Sequence, residues 1–194
     1  MRPTRSTITF FVLSLTLLTG MIARATTPAP AAASSNPRVA RGAYLVQTMG
    51  CNDCHTPLKL GARGPEPDMS RALTGHPAEL VMPPAPALPP GPWGWVGAAT
   101  NTAFAGPWGV SFTANLTPDP ETGLGNWTEQ MFIDTMRTGR HQGKGRPVLP
   151  PMPYQIIAAA TDEDIKSIFA YLQSLTPVHN QVPAPIDPPE QGTN

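Results

Sequence analysis

Apolar residues repeat with a helical period most clearly near the C-terminus. Thr161-Asp-Glu-Asp164 resembles a capping box and places three acidic residues on the first turn, where the helix dipole favours them. The residues that follow at i, i+3, i+4, i+7 and i+10 are Ile165, Ile168, Phe169, Leu172 and Leu175. This single apolar stripe predicts an amphipathic helix that ends before Pro177.

Two further segments favour helices. In the first, Asn36 is the predicted N-cap and Pro37 the first helical residue, and the pattern continues to Met49 before Gly50. In the second, Thr128 caps a helix that runs through Arg137 and stops at Gly139; its apolar residues are Met131, Phe132, Ile133 and Met136. No segment shows the alternation that predicts a strand.

Residues 59–110 interrupt the helical pattern. Proline runs exclude helices across most of this stretch, and only Asp68 to Leu73 could form a short helical turn. Trp93, Trp95 and Trp108 argue against disorder, because disordered segments are poor in aromatic residues. We therefore expect an ordered Pro/Trp-rich loop insertion that packs on the core through its aromatic side chains.

Composition narrows the function classes. The 194 residues include 13 basic and 13 acidic side chains, so there is no electrostatic footprint for nucleic acid. Two cysteines cannot form a disulfide-rich scaffold, while a hydrophobic share of 40% allows one packed domain.

The N-terminus has the features of a signal peptide, residues 1–25. Arg2 and Arg5 precede an apolar stretch, and Ala23-Arg24-Ala25 offers a cleavage site. The alternative is a retained membrane anchor; no later segment is long and apolar enough to span a bilayer. Cleavage would leave a flexible lead-in, 26–36, and a mature periplasmic chain with a net charge of −3.

We expect the functional site at the motif Cys51-Asn52-Asp53-Cys54-His55. Two thiols at this spacing match the two vinyl groups of haem, and the adjacent His becomes the proximal iron ligand. Three other interpretations of the motif are weaker. A zinc site would need two further ligands, and the remaining histidines do not lie at a suitable spacing. A thioredoxin-like dithiol would follow a predicted strand, which is absent from the pattern here, and a plain disulfide would not explain the adjacent His. One haem c per chain is the favoured interpretation.

The sixth iron ligand is predicted to be Met152, because the flanking prolines of Leu149-Pro-Pro-Met-Pro-Tyr154 stiffen its backbone. A thioether ligand raises the reduction potential. His76 and His141 are the leading rivals, although each histidine outside the cysteine motif is first expected to be a surface residue. The other candidate methionines are Met49, Met69, Met82, Met131 and Met136.

These features resemble a bacterial class I c-type cytochrome, which implies an all-α fold. The resemblance covers about 36–58 and 111–178, so the cytochrome domain is placed at 37–178, followed by a Pro-rich tail at 179–194 that should fray. The family's helix crossing would pair Gly42, Tyr44, Leu45 and Val46 with Ile168 and Tyr171. Residues 115–125, Trp127 and Gly-Arg140-His are similar to the multi-haem cytochrome domains that accompany periplasmic dehydrogenases; this chain has a single haem motif.

Other residues are candidates for the haem pocket. Haem propionates need cationic or N–H donors, and the sequence offers Arg137, Arg140, Arg146 and Trp127. Tyr154 and the loop tryptophans would cover the haem face and lower its local dielectric.

The expected function is one-electron transfer by a carrier that is not itself an enzyme. Its partners would be redox proteins, namely a dehydrogenase, an oxidase or other cytochromes, which it would meet through a small interface. Two alternatives remain: a haem enzyme or gas sensor with a displaceable sixth ligand, and a haem-bearing subunit of a dehydrogenase or oxidase complex in which the Pro/Trp loop docks the partner.

Overall fold

Five α-helices and five short β-strands make up the computed structural model, which describes residues 36–88 and 91–188. The helices are α1 (Pro37–Thr48), α2 (Cys51–His55), α3 (Glu129–Thr138), α4 (Tyr154–Ala158) and α5 (Asp162–Gln173). The strands are β1 (Leu58–Gly61), β2 (Gly64–Pro67), β3 (Val96–Gly97), β4 (Ala103–Gly106) and β5 (Gly109–Phe112). The predicted signal peptide lies outside the described residues, as do nearly all of the lead-in and the last six residues of the tail.

Side-chain caps fix the starts of the three longer helices. Asn36 accepts from the backbone N–H of Arg38, and Thr128 accepts from that of Met131, at 3.0 and 3.1 Å. Thr161 caps α5 by accepting from Asp164 N–H at 3.2 Å. All three caps were predicted from the sequence, and these hydrogen bonds confirm them. In each, a short polar side chain satisfies a backbone N–H of the first turn that would otherwise be unpaired.

Helices α1 and α5 cross closely at Gly42. A Cβ built at this glycine would overlap the backbone carbonyl of Ser167 and lie 2.7 Å from Cβ of Tyr171. Leu45 and Val46 are buried beside the crossing, as predicted. The prediction was wrong for Tyr44, whose side chain is exposed and lies beside the guanidinium of Arg41.

The hydrophobic core is built mainly from the faces of α1, α3 and α5. This core cluster consists of Leu45, Val46, Leu73, Leu124, Phe132, Ile133, Met136, Ile157, Ile165, Ile168, Phe169 and Leu172. All five residues of the predicted C-terminal stripe contribute: four are in the cluster, and Leu175 packs against it. The helical period therefore located the core correctly.

The predicted all-α class is wrong for the insertion, which contains two small antiparallel sheets. Strands β1 and β2 form a hairpin, and β3, β4 and β5 form a three-stranded sheet in that order. The sequence did not reveal them because each has at most four residues and several are Gly- or Pro-rich, which leaves no alternating pattern to detect. The expected short helical turn is present as a 3₁₀ helix, Met69–Arg71.

The expected aromatic anchoring of the insertion is also largely wrong. Trp93 and Trp95 are 76% and 48% exposed. Phe104 and His76 are the buried rings instead, and Trp95 only touches the edge of Phe104, with ring centroids 5.6 Å apart. Short β-sheet pairing and buried polar contacts hold this segment, and neither leaves a strong signal in sequence.

The described part of the tail does not fray. The side chain of Asn180 is buried, where it donates to the carbonyls of Thr74 and His76 at 2.7 and 2.9 Å and accepts from Ala78 N–H at 2.9 Å. Further along, Ile186 forms an antiparallel bridge with Val110. The tail therefore fastens the insertion to the rest of the domain. None of the helices in the described residues is long and apolar enough to cross a membrane.

Gly42→Ala should lower the free energy of unfolding by about 1–3 kcal/mol, because the added methyl overlaps the backbone of α5. Denaturant unfolding of the holoprotein measures this. Gly94→Ala is the matched control, since a Cβ there meets nothing within 4 Å, and it should change stability by less than about 0.5 kcal/mol. Equal effects of the two substitutions would contradict a tight crossing.

Candidate functional site

The two cysteines lie on one turn directly after α1. Gly50 adopts a left-handed conformation, with φ of 71°, which allows α2 to begin at once. Cys51 and Cys54 are three residues apart and therefore share a face of α2. Both are half-buried free thiols, and Cys51 packs against the core cluster.

The state of these thiols bears on the competing interpretations of the motif. Burial raises the pKa of Cys51 to about 11, and burial together with the charge of Asp53 raises the pKa of Cys54. Protonated thiols are poor redox nucleophiles. A neutral thioether suits the same environment. Within 36–88 and 91–188, no group of three or more His, Cys, Asp or Glu side chains could hold a metal ion.

His55 is buried and held in one tautomer. Its Nδ1 lies 2.8 Å from the carbonyl oxygen of Ala114, and a carbonyl can only accept, so Nδ1 carries the proton. The Nε2 lone pair is consequently available to a metal. Desolvation by burial lowers the pKa of His55, which keeps the imidazole neutral at neutral pH.

Neighbours that the sequence did not reveal position the cysteine motif. Thr56 is fully buried; its hydroxyl donates to Asn52 Oδ1 and accepts from Leu73 N–H, both at 2.9 Å. Asn101, in the turn before β4, donates to the carbonyl of Asp53 at 2.7 Å. The contacts to Leu73 and Asn101 join residues 17 or more positions apart, and no local motif predicts them.

Met152 packs against the same core cluster as Cys51. It lies in residues 149–153, which we call the ligand loop after the role that the sequence predicts for Met152. Its backbone N–H donates to Leu149 at 3.3 Å, and the carbonyl of Pro150 accepts a 2.6 Å hydrogen bond from Ser111. Among the other methionines, Met69 is 64% exposed. Met152 and Cys51 thus both border the hydrophobic core.

The two histidines considered as alternative sixth ligands differ in exposure. His76 was expected at the surface, and this is wrong, since it is fully buried. Its Nε2 donates to the carbonyl of Leu80 at 3.0 Å, and its Nδ1 accepts from Thr102 Oγ1 at 2.9 Å, so both nitrogens are engaged. His141 is exposed, as expected, with its ring edge-on to Trp127.

The predicted propionate contacts divide into two groups. Arg137 donates to the carbonyls of Ala158 and Ala160 and pairs with Asp162, so its two terminal nitrogens hold the turn before α5. Arg140 and Arg146 are exposed, and their guanidinium groups donate to nearby backbone carbonyls.

The two predicted aromatic contacts border the core. Trp127 and Tyr154 both pack against the core cluster, and the ring of Tyr154 lies so close to Gly139 that a Cβ there would overlap it. A neutral imidazole with a free Nε2, two thiols on one face and an adjoining apolar surface together fit a covalently attached haem.

Comparison with known proteins decides the family. The family model described as cytochrome c matches residues 39–176. The chain belongs to the cytochrome c family. It therefore carries covalently bound haem c with iron, and its role is haem-based electron transfer.

Several curated proteins are similar to this cytochrome. The fructose dehydrogenase cytochrome subunit of Gluconobacter japonicus is 30% identical over 89% of this chain and 28% of its own length. The cytochrome c subunit of the quinone alcohol dehydrogenase of Gluconobacter oxydans is 29% identical over 76% of this chain and 23% of its own. The gluconate 2-dehydrogenase cytochrome c subunit of Pantoea cypripedii is 35% identical over 41% of this chain and 18% of its own. The chain thus spans less than a third of each of these relatives.

The buried His76 predicts an acid-sensitive insertion. Burial lowers the pKa of its imidazole, whereas the unfolded chain takes up a proton near pH 6.5. The unfolded state therefore binds more protons in mild acid, and stability should fall as the pH drops from about 7 to 5.

His76→Gln should reduce stability at pH 7 and flatten this pH dependence, as measured by urea unfolding at each pH. An unchanged slope in His76→Gln would rule out this histidine as the source.

Proposed function

We propose that this cytochrome is a periplasmic electron-transfer protein with one haem c, attached through Cys51 and Cys54 and ligated by His55 and Met152. The observation that carries the proposal is the state of His55. It is buried and neutral, and its Nδ1–H is fixed on Ala114 so that Nε2 is free. Second contacts of this kind orient a ligating histidine and make it a stronger donor.

Bound haem supplies a reversible one-electron couple at iron. The protein residues hold the two proposed iron ligands in fixed positions while that electron moves. His55 is fixed through Ala114, and the ligand loop is stiffened by Pro150, Pro151 and Pro153, which restrict the backbone on both sides of Met152. Rigid ligands need little rearrangement between oxidation states, which favours fast transfer.

Aromatic side chains support the same role. Trp127 and Tyr154 pack against the core cluster, as Met152 and Cys51 do. They exclude water on that side and lower the local dielectric, which shifts the potential. Trp127 also offers its indole N–H, and Arg140 and Arg146 offer charge, to the haem propionates.

Several observations support export and a dehydrogenase partner. The pattern of residues 1–25 is typical of a signal peptide. Relatives are named as cytochrome subunits of fructose and alcohol dehydrogenases, which favours a dehydrogenase as electron donor. Such redox encounters are weak and use small interfaces.

Met152→Ala should abolish the weak red absorption band of methionine–iron ligation in the oxidised protein and lower the reduction potential. The reason is that water or another ligand replaces a thioether that favours the ferrous state. Absorption spectroscopy and redox titration measure both changes. Met69→Ala is the matched control, because Met69 is exposed, and it should leave the band and the potential intact.

Wild-type protein that lacks this band and contains high-spin ferric iron would overturn the ligation by Met152. That result would favour the alternative of a haem enzyme or gas sensor with a displaceable sixth ligand.

A second candidate function is a haem-bearing subunit of a stable dehydrogenase complex. Exposed tryptophans favour it, since Trp93 and Trp95 present large apolar surfaces on the insertion. Aromatic residues are enriched in the buried centres of protein interfaces. The curated relatives named as dehydrogenase subunits are consistent with this role.

Trp93→Ser should weaken association with such a partner by about tenfold or more while leaving the haem spectrum unchanged, because it removes an exposed anchor. Co-purification and binding assays with a dehydrogenase encoded beside the cytochrome provide the measurement. Leu60→Ser alters another exposed apolar residue, on β1, and serves as the control. Equal affinity of the Trp93 variant and wild type would exclude docking through this residue.

A further inference from the structure

One short segment, Ser111 to Ala114, contacts both sides of the proposed iron site. At one end, the carbonyl of Ala114 accepts from Nδ1 of His55 at 2.8 Å. At the other end, the hydroxyl of Ser111 lies 2.6 Å from the carbonyl of Pro150 in the ligand loop. Three residue steps span at most about 11 Å, so the segment fixes the two contacts at a limited separation.

The hydroxyl of Ser111 is placed to donate to the ligand loop. The side chain is buried, and its oxygen accepts from the indole N–H of Trp108 at 3.3 Å. Its single proton can reach Pro150 O at 2.6 Å or Phe104 O at 3.4 Å, and the shorter contact is the stronger one. Trp108, Ser111 and Pro150 therefore form a chain of hydrogen bonds in which each bond polarises the next.

The ligand loop depends on an external donor. Pro150, Pro151 and Pro153 have no backbone N–H, and Met152 N–H is used within the loop, on Leu149. The loop therefore has few donors with which to attach itself to the rest of the protein. The carbonyl of Pro150 provides the attachment as an acceptor, two residues before Met152.

We propose that Ser111 is a positioning residue for the distal iron ligand. It holds the ligand loop through Pro150, so that the hairpin of β4 and β5 determines how firmly Met152 is kept in its ligating position. The inference rests on the proposed ligation by Met152. It gives the insertion a role within the cytochrome itself, separate from any docking role.

The sheet that carries Ser111 is itself held in place at two points. Just before β4, Asn101 contacts the cysteine motif by donating to the carbonyl of Asp53. On the other side, Ile186 pairs with Val110 beside Ser111. The sheet is thus fixed on the cysteine side and by the tail. A donor mounted on it can resist displacement of the ligand loop.

The test measures how easily an added ligand displaces Met152. Imidazole is titrated into the oxidised holoprotein and followed by absorption. Ser111→Ala should bind imidazole about fivefold more tightly than wild type, because losing one net hydrogen bond makes opening of the loop easier by that factor. Ser111→Thr keeps the hydroxyl and should restore an affinity close to that of wild type.

Thr102→Ala is the matched control. It removes another buried hydroxyl, which contacts His76 and does not touch the ligand loop. Its imidazole affinity should stay within about twofold of wild type. The inference is overturned if Ser111→Ala binds imidazole like wild type, or if Thr102→Ala shows the same gain, since the effect would then be general loosening of the sheet.

Met152→Ala separates this inference from the proposed ligation. It should bind imidazole more than about tenfold more tightly than wild type, because no intrinsic ligand competes. If it does and Ser111→Ala is unchanged, only the positioning role fails. If Met152→Ala matches wild type, Met152 is not the ligand and both proposals fail.

Discussion

The hydrogen bond between His55 and the carbonyl of Ala114 is the constraint on which the site depends. It selects the tautomer, aims the imidazole and ties α2 to a segment 59 residues further along the chain. His55 is the last residue of a five-residue helix, and this contact fixes the direction of its side chain. The folding of the intervening insertion is what brings the accepting carbonyl into place.

The structure therefore consists of a helical frame and an insertion that is held by hydrogen bonds. The frame is the crossing of α1 and α5, whose closeness depends on the missing side chain at Gly42. The insertion and its neighbours contribute buried or directional polar contacts, through Thr56, Asn101 and Ser111, at the places where the chain must present ligands. Apolar packing sets the overall shape, and directional hydrogen bonds set the orientation of individual groups.

The sequence predicted the features that depend on local periodicity and spacing. The helix caps at Asn36, Thr128 and Thr161 and the stripe on α5 follow from neighbours within a turn or two. The strands were missed because two- to four-residue Gly- and Pro-rich strands leave too short a pattern and are stabilised by their partners. The burial of His76 was missed because its partner Thr102 lies 26 residues away and nothing beside the histidine signals it.

The anchoring of the tail on the insertion has a consequence for the order of assembly. Asn180 satisfies the carbonyls of Thr74 and His76 more than a hundred residues back along the chain. A chain that emerges N-terminus first exposes Cys51 and Cys54 long before Asn180, so the last fastening of the insertion forms after both cysteines are accessible. The insertion therefore cannot be fully fastened until the part of the chain that contains Asn180 has been made.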